Sequence, residues 1–155
     1  MATVELRRVV EGEREELRAA AERYWAGLMP HAPVVRDPVR RAAYFDERFR
    51  FGDPDCLLWW GVVGEVKVGF AVVELLGEGH DGPMASMGDF FIEAEWRRRG
   101  YGTGVVRAIV DELRGRGVVQ VDLNVRRDNP GALAFWESVG FELSLYHLRR
   151  YLDEG

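Results

Sequence analysis

One stretch, residues 89–113, constrains what this chain can fold into more than any other: DFFIEAEWRRRGYGTGVVRAIVDEL. The apolar run Phe90, Phe91 and Ile92 leads into Arg97, Arg98 and Arg99, then into glycines at the alternate positions Gly100, Gly102 and Gly104. Beyond them Val105, Val106, Ile109, Val110 and Leu113 recur at helical spacing on a single face. The pattern predicts a central strand over residues 85–92, a glycine-rich turn, and a helix from residue 100 to about residue 114.

A turn of this kind has a chemical use. The first backbone N–H groups of a helix lack intrahelical acceptors and sit at the positive end of its dipole. Glycine lets a ligand approach that backbone, and the combination binds phosphate. Taken alone, alternating glycines fit a flexible turn that binds nothing equally well. The spacing is not that of a P-loop, and Val105 stands where a dinucleotide-binding turn would carry its third glycine.

The rest of the chain supplies elements around this unit. Residues 4–10 read as a strand and residues 13–28 as a helix, with Leu17, Ala20, Ala21, Tyr24 and Leu28 on one stripe. Asp37 before Pro38 reads as a cap and first turn. That second helix is expected to run to about residue 51 and to bury Val39, Ala42, Ala43 and Phe49. Residues 57–63 and 66–76 form a hairpin signal around Gly64 and Glu65. Residues 77–83 read as a loop and 118–125 as a strand. Asn129 with Pro130 starts a helix that ends near residue 139, and residues 141–151 are expected to return as a long strand. The order β-α-α-β-β-β-α-β-α-β implies an α/β (α+β) protein with a mixed central sheet and helices on both faces.

Two motifs now carry a resemblance. Arg97, Arg98, Arg99, Gly100, Tyr101 and Gly102 match the R/Q-x-x-G-x-G/A signature of the GNAT superfamily of acetyl-CoA-dependent N-acetyltransferases. Residues 129–141, NPGALAFWESVGF, resemble that family's second signature, an N-x-x-A helix ending in Gly-Phe. The clear likeness spans residues 84–141, and the element order fits the GNAT fold.

The resemblance implies that the acyl-CoA pyrophosphate lies on backbone N–H groups from Arg98 to Thr103. The pantetheine arm would run beside Phe91, Ile92 and Glu93, between the central strand and the strand at 118–125. Arg97 fills the signature position. Arg98 and Arg99 either meet the ribose phosphate or are simply solvated. Asn129 is a helix cap that the resemblance also places on the cofactor; its amide has separate donors and an acceptor. Trp136 is a cofactor contact and a departure. The family usually has a Tyr there, often taken to protonate the departing thiolate, whereas an indole N–H is a donor without useful acidity.

Asp89 is the expected general base. An amine of pKa near 10.4 is protonated at pH 7, and deprotonating it costs about 4–5 kcal/mol. A carboxylate near the amine, directly or through water, takes that proton. Asp is depleted in strands, so its place before Phe90 calls for a reason; the competing one is a strand-end carboxylate facing solvent. Glu93 and Glu95 are secondary candidates. His31, His80, Tyr24, Trp25 and Asp37 are positioned to border an acceptor site, with Tyr24 also on the core stripe. Acceptor determinants are expected in residues 25–37 and 77–83.

Composition bounds the rest. At 155 residues the chain is expected to be a single domain. A net charge of −5 argues against nucleic acid as a partner and weakly favours a cationic acceptor. The single Cys56 fits a reducing cytoplasm and is expected to be inert. No membrane span or metal site is visible, and a homodimer is left open. The expected activity is acetyl transfer to the amine of a small molecule or peptide by direct attack, since no Cys-His or Ser-His pair points to an acyl-enzyme. The rivals are a non-catalytic acyl-CoA-binding module and a transferase of another acyl group.

Overall fold

Among the described residues, five strands form one sheet in the order β1-β2-β3-β4-β5. They are β1 (Val4–Arg8), β2 (Cys56–Val63), β3 (Val66–Glu78), β4 (Pro83–Ile92) and β5 (Gln120–Asp122). The computed structural model describes residues 3–28 and 37–152. The chain divides into two compact units, residues 1–124 and residues 125–155.

Within the first unit, β1 to β4 pair antiparallel and β4 pairs parallel with β5, so the sheet is mixed as expected. Gly64 turns the β2–β3 hairpin at a φ of 62°. One face of the sheet carries α1 (Arg14–Leu28) and α2 (Pro38–Arg48). Their core joins Leu17, Ala21, Trp25, Phe45 and Phe49 to Leu58, Trp60, Phe70, Val72 and Phe91 of the strands. The other face carries α3 (Tyr101–Gly115), which buries Val105, Val106, Ile109 and Leu113. This helix lies very close to the sheet: a Cβ at Gly104 would come within 2.8 Å of the Val4 side chain.

Asp37 caps α2 as its sequence predicts, accepting from the Val39 N–H at 2.9 Å with Pro38 in the first turn. The buried stripe of α2 differs from the expected one. Val39 is exposed and Phe45 is buried, with Tyr44 packed at the edge of the core. The helix also stops at Arg48, short of residue 51. Three aromatics spaced one turn apart or less outcompete alanines for the core, because area buried sets the gain.

In the second unit, α4 (Pro130–Ser138) starts where expected, and Asn129 Oδ1 accepts from the Ala132 N–H at 3.1 Å. Trp136 makes edge contacts with Phe135 and Phe141, at centroid distances of 5.0 and 5.3 Å. The long strand expected at residues 141–151 does not form. That segment is neither helix nor strand, and Leu143, Leu145, Tyr146, Leu148 and Tyr151 are exposed. Alternation supplies strand propensity, but a strand needs a partner ladder to persist.

Candidate active site

The site is built on β4. Opposed residues of β3 and β4 share a face, and their register slips between Val72 and Val73: Asp89 faces Val72, whereas Met87 faces Val73. Gly88 is the extra residue of a β-bulge. The bulge resets the alternation, so Asp89 and Phe91 join Val72 and Phe70 on the α1/α2 side, while Met87 lies on the other side.

A bulged strand bends, and β4 parts from its neighbour here. β5 pairs only with Met84, Ala85 and Ser86. The strand expected at 118–125 is thereby cut to Gln120–Asp122. From Met87 to Ile92 the β5 side of β4 has no strand partner among the described residues. This free edge opens at the carboxyl end of β4, the end of a parallel pair where ligands bind in open sheets.

The glycine-rich turn stands at that end. Gly100 adopts the left-handed conformation, φ 82°, and serves as the N-cap of α3 without any side-chain cap. Arg98 is left-handed too, φ 61°, the one described non-glycine residue with positive φ. Gly102 is not among the positive-φ glycines and lies in the first helical turn. Among the described residues, no acceptor is found for the backbone N–H groups of Arg98 through Thr103, and the first bond of the turn is from Gly104 N to Gly100 O at 3.1 Å. Successive N–H groups around left-handed residues make an anion-binding concavity, here at a helix N-terminus.

The arginines divide by role. Arg97 donates from Nε to the Ile92 carbonyl at 2.8 Å and lies 5.4 Å from the Phe91 ring, which fastens the turn to the end of β4. Arg98 and Arg99 are exposed, and Arg99 stacks over Trp96 at 5.2 Å. Tyr101 packs edge-on to Trp96. The Phe91 side chain is buried in the α1/α2 core, which leaves its backbone for any ligand at the free edge. Glu93 is committed to Arg23, accepting at 2.8 and 2.7 Å from its Nε and Nη2.

Asp89 is the one buried charged residue among those described, at 5% exposure, so it is no solvent-facing strand end. Arg48 of α2 donates to its Oδ2 from Nε at 3.2 Å and Nη2 at 3.1 Å. The Tyr24 phenol is near the same carboxylate. Burial there, with the Asp89 charge beside it, lifts the phenol far above its ordinary value. Asp89 itself is pushed above the usual carboxylate range by burial, against the opposing pull of Arg48 and Tyr24.

The sequence marked Asp89 as a base and Tyr24 as a core-stripe residue that could border the acceptor site; their pairing and Arg48 were missed. The signal was present: a charged residue inside a strand requires a buried partner of opposite sign. Trp25 belongs to the core, Asp37 is occupied as a cap, and His80 is exposed in a loop. His31 lies outside the described residues. Glu95 is exposed on the turn. Cys56 is buried and free, and burial raises its thiol pKa, as suits an inert residue. No cluster of metal-ligating side chains occurs among the described residues, and no described helix is long and apolar enough to cross a membrane.

Comparison with known proteins gives the family and the fold. The family model described as "Acetyltransferase (GNAT) family" matches residues 15–141. The [ribosomal protein bS18]-alanine N-acetyltransferase of Salmonella typhimurium is 39% identical over 57 residues, which cover 37% of this chain and 38% of that protein. The chain therefore matches well under half the length of this curated relative. Among solved structures, an aminoglycoside acetyltransferase from an uncultured soil metagenomic sample superposes with a TM-score of 0.73 over 97% of both chains at 15% identity. The Bacillus subtilis protein YycN gives 0.73 over 98% of this chain and 100% of its own, at 22% identity. At such identities these structures establish the fold.

Proposed function

The chain belongs to the acetyltransferase (GNAT) family, and from that premise we propose that it moves an acetyl group from acetyl-CoA to the amine of an acceptor by direct attack. The observation that carries the reading is the row of N–H groups from Arg98 to Thr103 that find no acceptor among the described residues, set at the α3 N-terminus beside the free edge of β4. These donors and the exposed Arg98 and Arg99 fit a pyrophosphate with its adjoining phosphate. A flexible arm leading from it would follow the backbone of Phe91, Ile92 and Glu93 along the unpaired edge. Asn129 and Trp136 are assigned to the cofactor on the strength of the second signature. The whole chain is read as one acetyltransferase domain acting in the cytoplasm.

Bound acetyl-CoA supplies an activated thioester, and the chain supplies position and a proton acceptor. An acetyl group following the β4 edge would lie beside Gly88 and Asp89, where the bulge interrupts the ladder. Asp89 takes the ammonium proton through an intervening water, since its carboxylate is buried. Its pKa, raised by burial, brings it closer to working pH than an exposed carboxylate. The amine would then attack the carbonyl carbon, the C–S bond would break, and the remaining proton lost from nitrogen would pass through solvent to the departing CoA thiolate. One feature favours a second reading, an acyl-CoA-binding module: Trp136 stands where the family usually has a phenol. Turnover with any amine excludes it.

The cofactor site is tested with Gly102→Val. The backbone there is helical, so the substitution brings no positive-φ strain and acts by placing a branched side chain over the N–H groups. CoA affinity should fall at least about tenfold, or ~1.4 kcal/mol, by calorimetry on two proteins of equal fold. Equal affinity would remove the phosphate site.

A further inference from the structure

We infer that the acceptor carries a carboxylate a few bonds from the amine that is acetylated, as an amino acid does, and that Arg48 recognises it. The inference rests on the transferase reading and names the acceptor class of the same site.

The Asp89–Arg48 pair is lopsided. The carboxylate is 5% exposed and the Arg48 side chain 30% exposed, so the positive end of the pair faces outward. Both guanidinium contacts fall on one oxygen, from Nε and Nη2 to Oδ2. Nη1 donates to nothing among the described residues. The guanidinium is also held from two further sides. Its carbon lies 5.6 Å from the Tyr44 ring centroid, and a Cβ at Gly88 would come within 3.0 Å of Nη2. An arginine fixed in this way loses little freedom when it gains a ligand, and its planar donor array matches a carboxylate.

Its place gives that donor a meaning. Gly88 and Asp89 belong to the part of β4 that β5 leaves unpaired, where the acetyl group is proposed to lie. An acceptor bearing only positive charge would meet the cation first and reach the carboxylate only by breaking a buried pair. An amino carboxylate places its anion on Nη1, leaves the Asp89 contact intact, and holds its amine nearby. The net charge of −5 favoured a cationic acceptor; the outward face of the pair points to a zwitterionic one.

Binding and turnover test this separately. A panel of N-acetyl amino acids and their C-terminal amides is titrated, with CoA present, into the wild type, Arg48→Gln, and the doubly neutral Arg48→Gln/Asp89→Asn, each checked for fold. At least one acid should bind the wild type about tenfold or more tighter than its amide, and that preference should disappear in both variants. Acids and amides binding alike throughout, or a preference that survives without Arg48, would overturn the inference. In parallel, acetyl transfer is measured with amino acids, their amides and their decarboxylated amines. Equal turnover of all three refutes the carboxylate alone and leaves the transferase reading standing. No turnover of any amine sinks the transferase reading, and the binding comparison still decides the role of Arg48.

Discussion

Removing Arg48 should expose how much of this fold depends on the pairing of one charge. In Arg48→Met the Asp89 carboxylate, 5% exposed in the native protein, has no guanidinium beside it. Breaking a buried pair from one side costs about 3–5 kcal/mol; Arg48 is itself partly exposed, so the lower end applies, about 3 kcal/mol. For a chain of this size each kcal/mol moves Tm by about 2–4 °C, giving a fall of roughly 6–12 °C. The pH dependence has a definite sign. Burial holds the folded pKa of Asp89 above its unfolded value, more so once Arg48 is gone. Between those two values the folded state binds a proton that the unfolded state does not, so stability falls as pH rises. The deficit of Arg48→Met should be largest near pH 8 and shrink towards pH 5. Thermal melts of the wild type, Arg48→Met and Arg48→Met/Asp89→Leu across that range are the assay, with the apolar double variant recovering most of the loss. A single variant melting within about 2 °C of the wild type at pH 7.5, or a deficit that grows on acidification, would refute the reasoning.

Three further outcomes are expected. Asp89→Asn should lower turnover by ~10²-fold or more while CoA affinity hardly changes; near-normal turnover across pH 6–9 would return Asp89 to a purely structural role. Glu13 accepts from Lys67 Nζ at 2.8 Å and from the Val10 N–H at 3.0 Å, and with the Lys67 bond leading, its pKa falls to about 2. That depressed value contributes stability above the ordinary 4.5 which is lost as pH falls towards 2, so Glu13→Gln should cost about 1 kcal/mol at pH 6 and nothing at pH 2 by chemical denaturation. Trp136→Phe should weaken acetyl-CoA binding by about 1 kcal/mol of lost aromatic contact and lower saturated turnover less than tenfold; a hundredfold loss with cofactor affinity intact would give the indole N–H a role at the thioester.

What the sequence made legible was local. The change from a short apolar run to helical spacing marked β4, the turn and α3 within a few residues, because both periods are written in consecutive side chains. Gly100 declared itself for the same reason: a left-handed cap favours a residue without a Cβ. The tail shows the limit. Phe141, Leu143 and Leu145 alternate as a strand does, yet alternation describes one chain and a ladder needs two. The bulge at Gly88 was hinted at by a glycine inside a strand pattern, but its effect on which face Asp89 occupies depends on the register against β3.

Arg48 shows why the site was half-read. In α2 the expected stripe ran through Val39, Ala42, Ala43 and Phe49, which caught the last phenylalanine and left Tyr44, Phe45 and Arg48 without a predicted face. The actual face carries Phe45 and Phe49 one turn apart and, alongside them, Tyr44 and Arg48 at the same spacing. Those two pairs point a guanidinium at the sheet only because the aromatics commit the helix to that rotation. Nothing in α2 alone distinguishes Arg48 from Arg40, which stays at the surface. The distinction comes from β4, where a carboxylate inside a strand must be neutralised from somewhere. Reading the two elements together would have chosen the arginine one helical turn after Tyr44, on the face the phenylalanines bury, and would have recast Asp89 from a free base into one half of a charged pair.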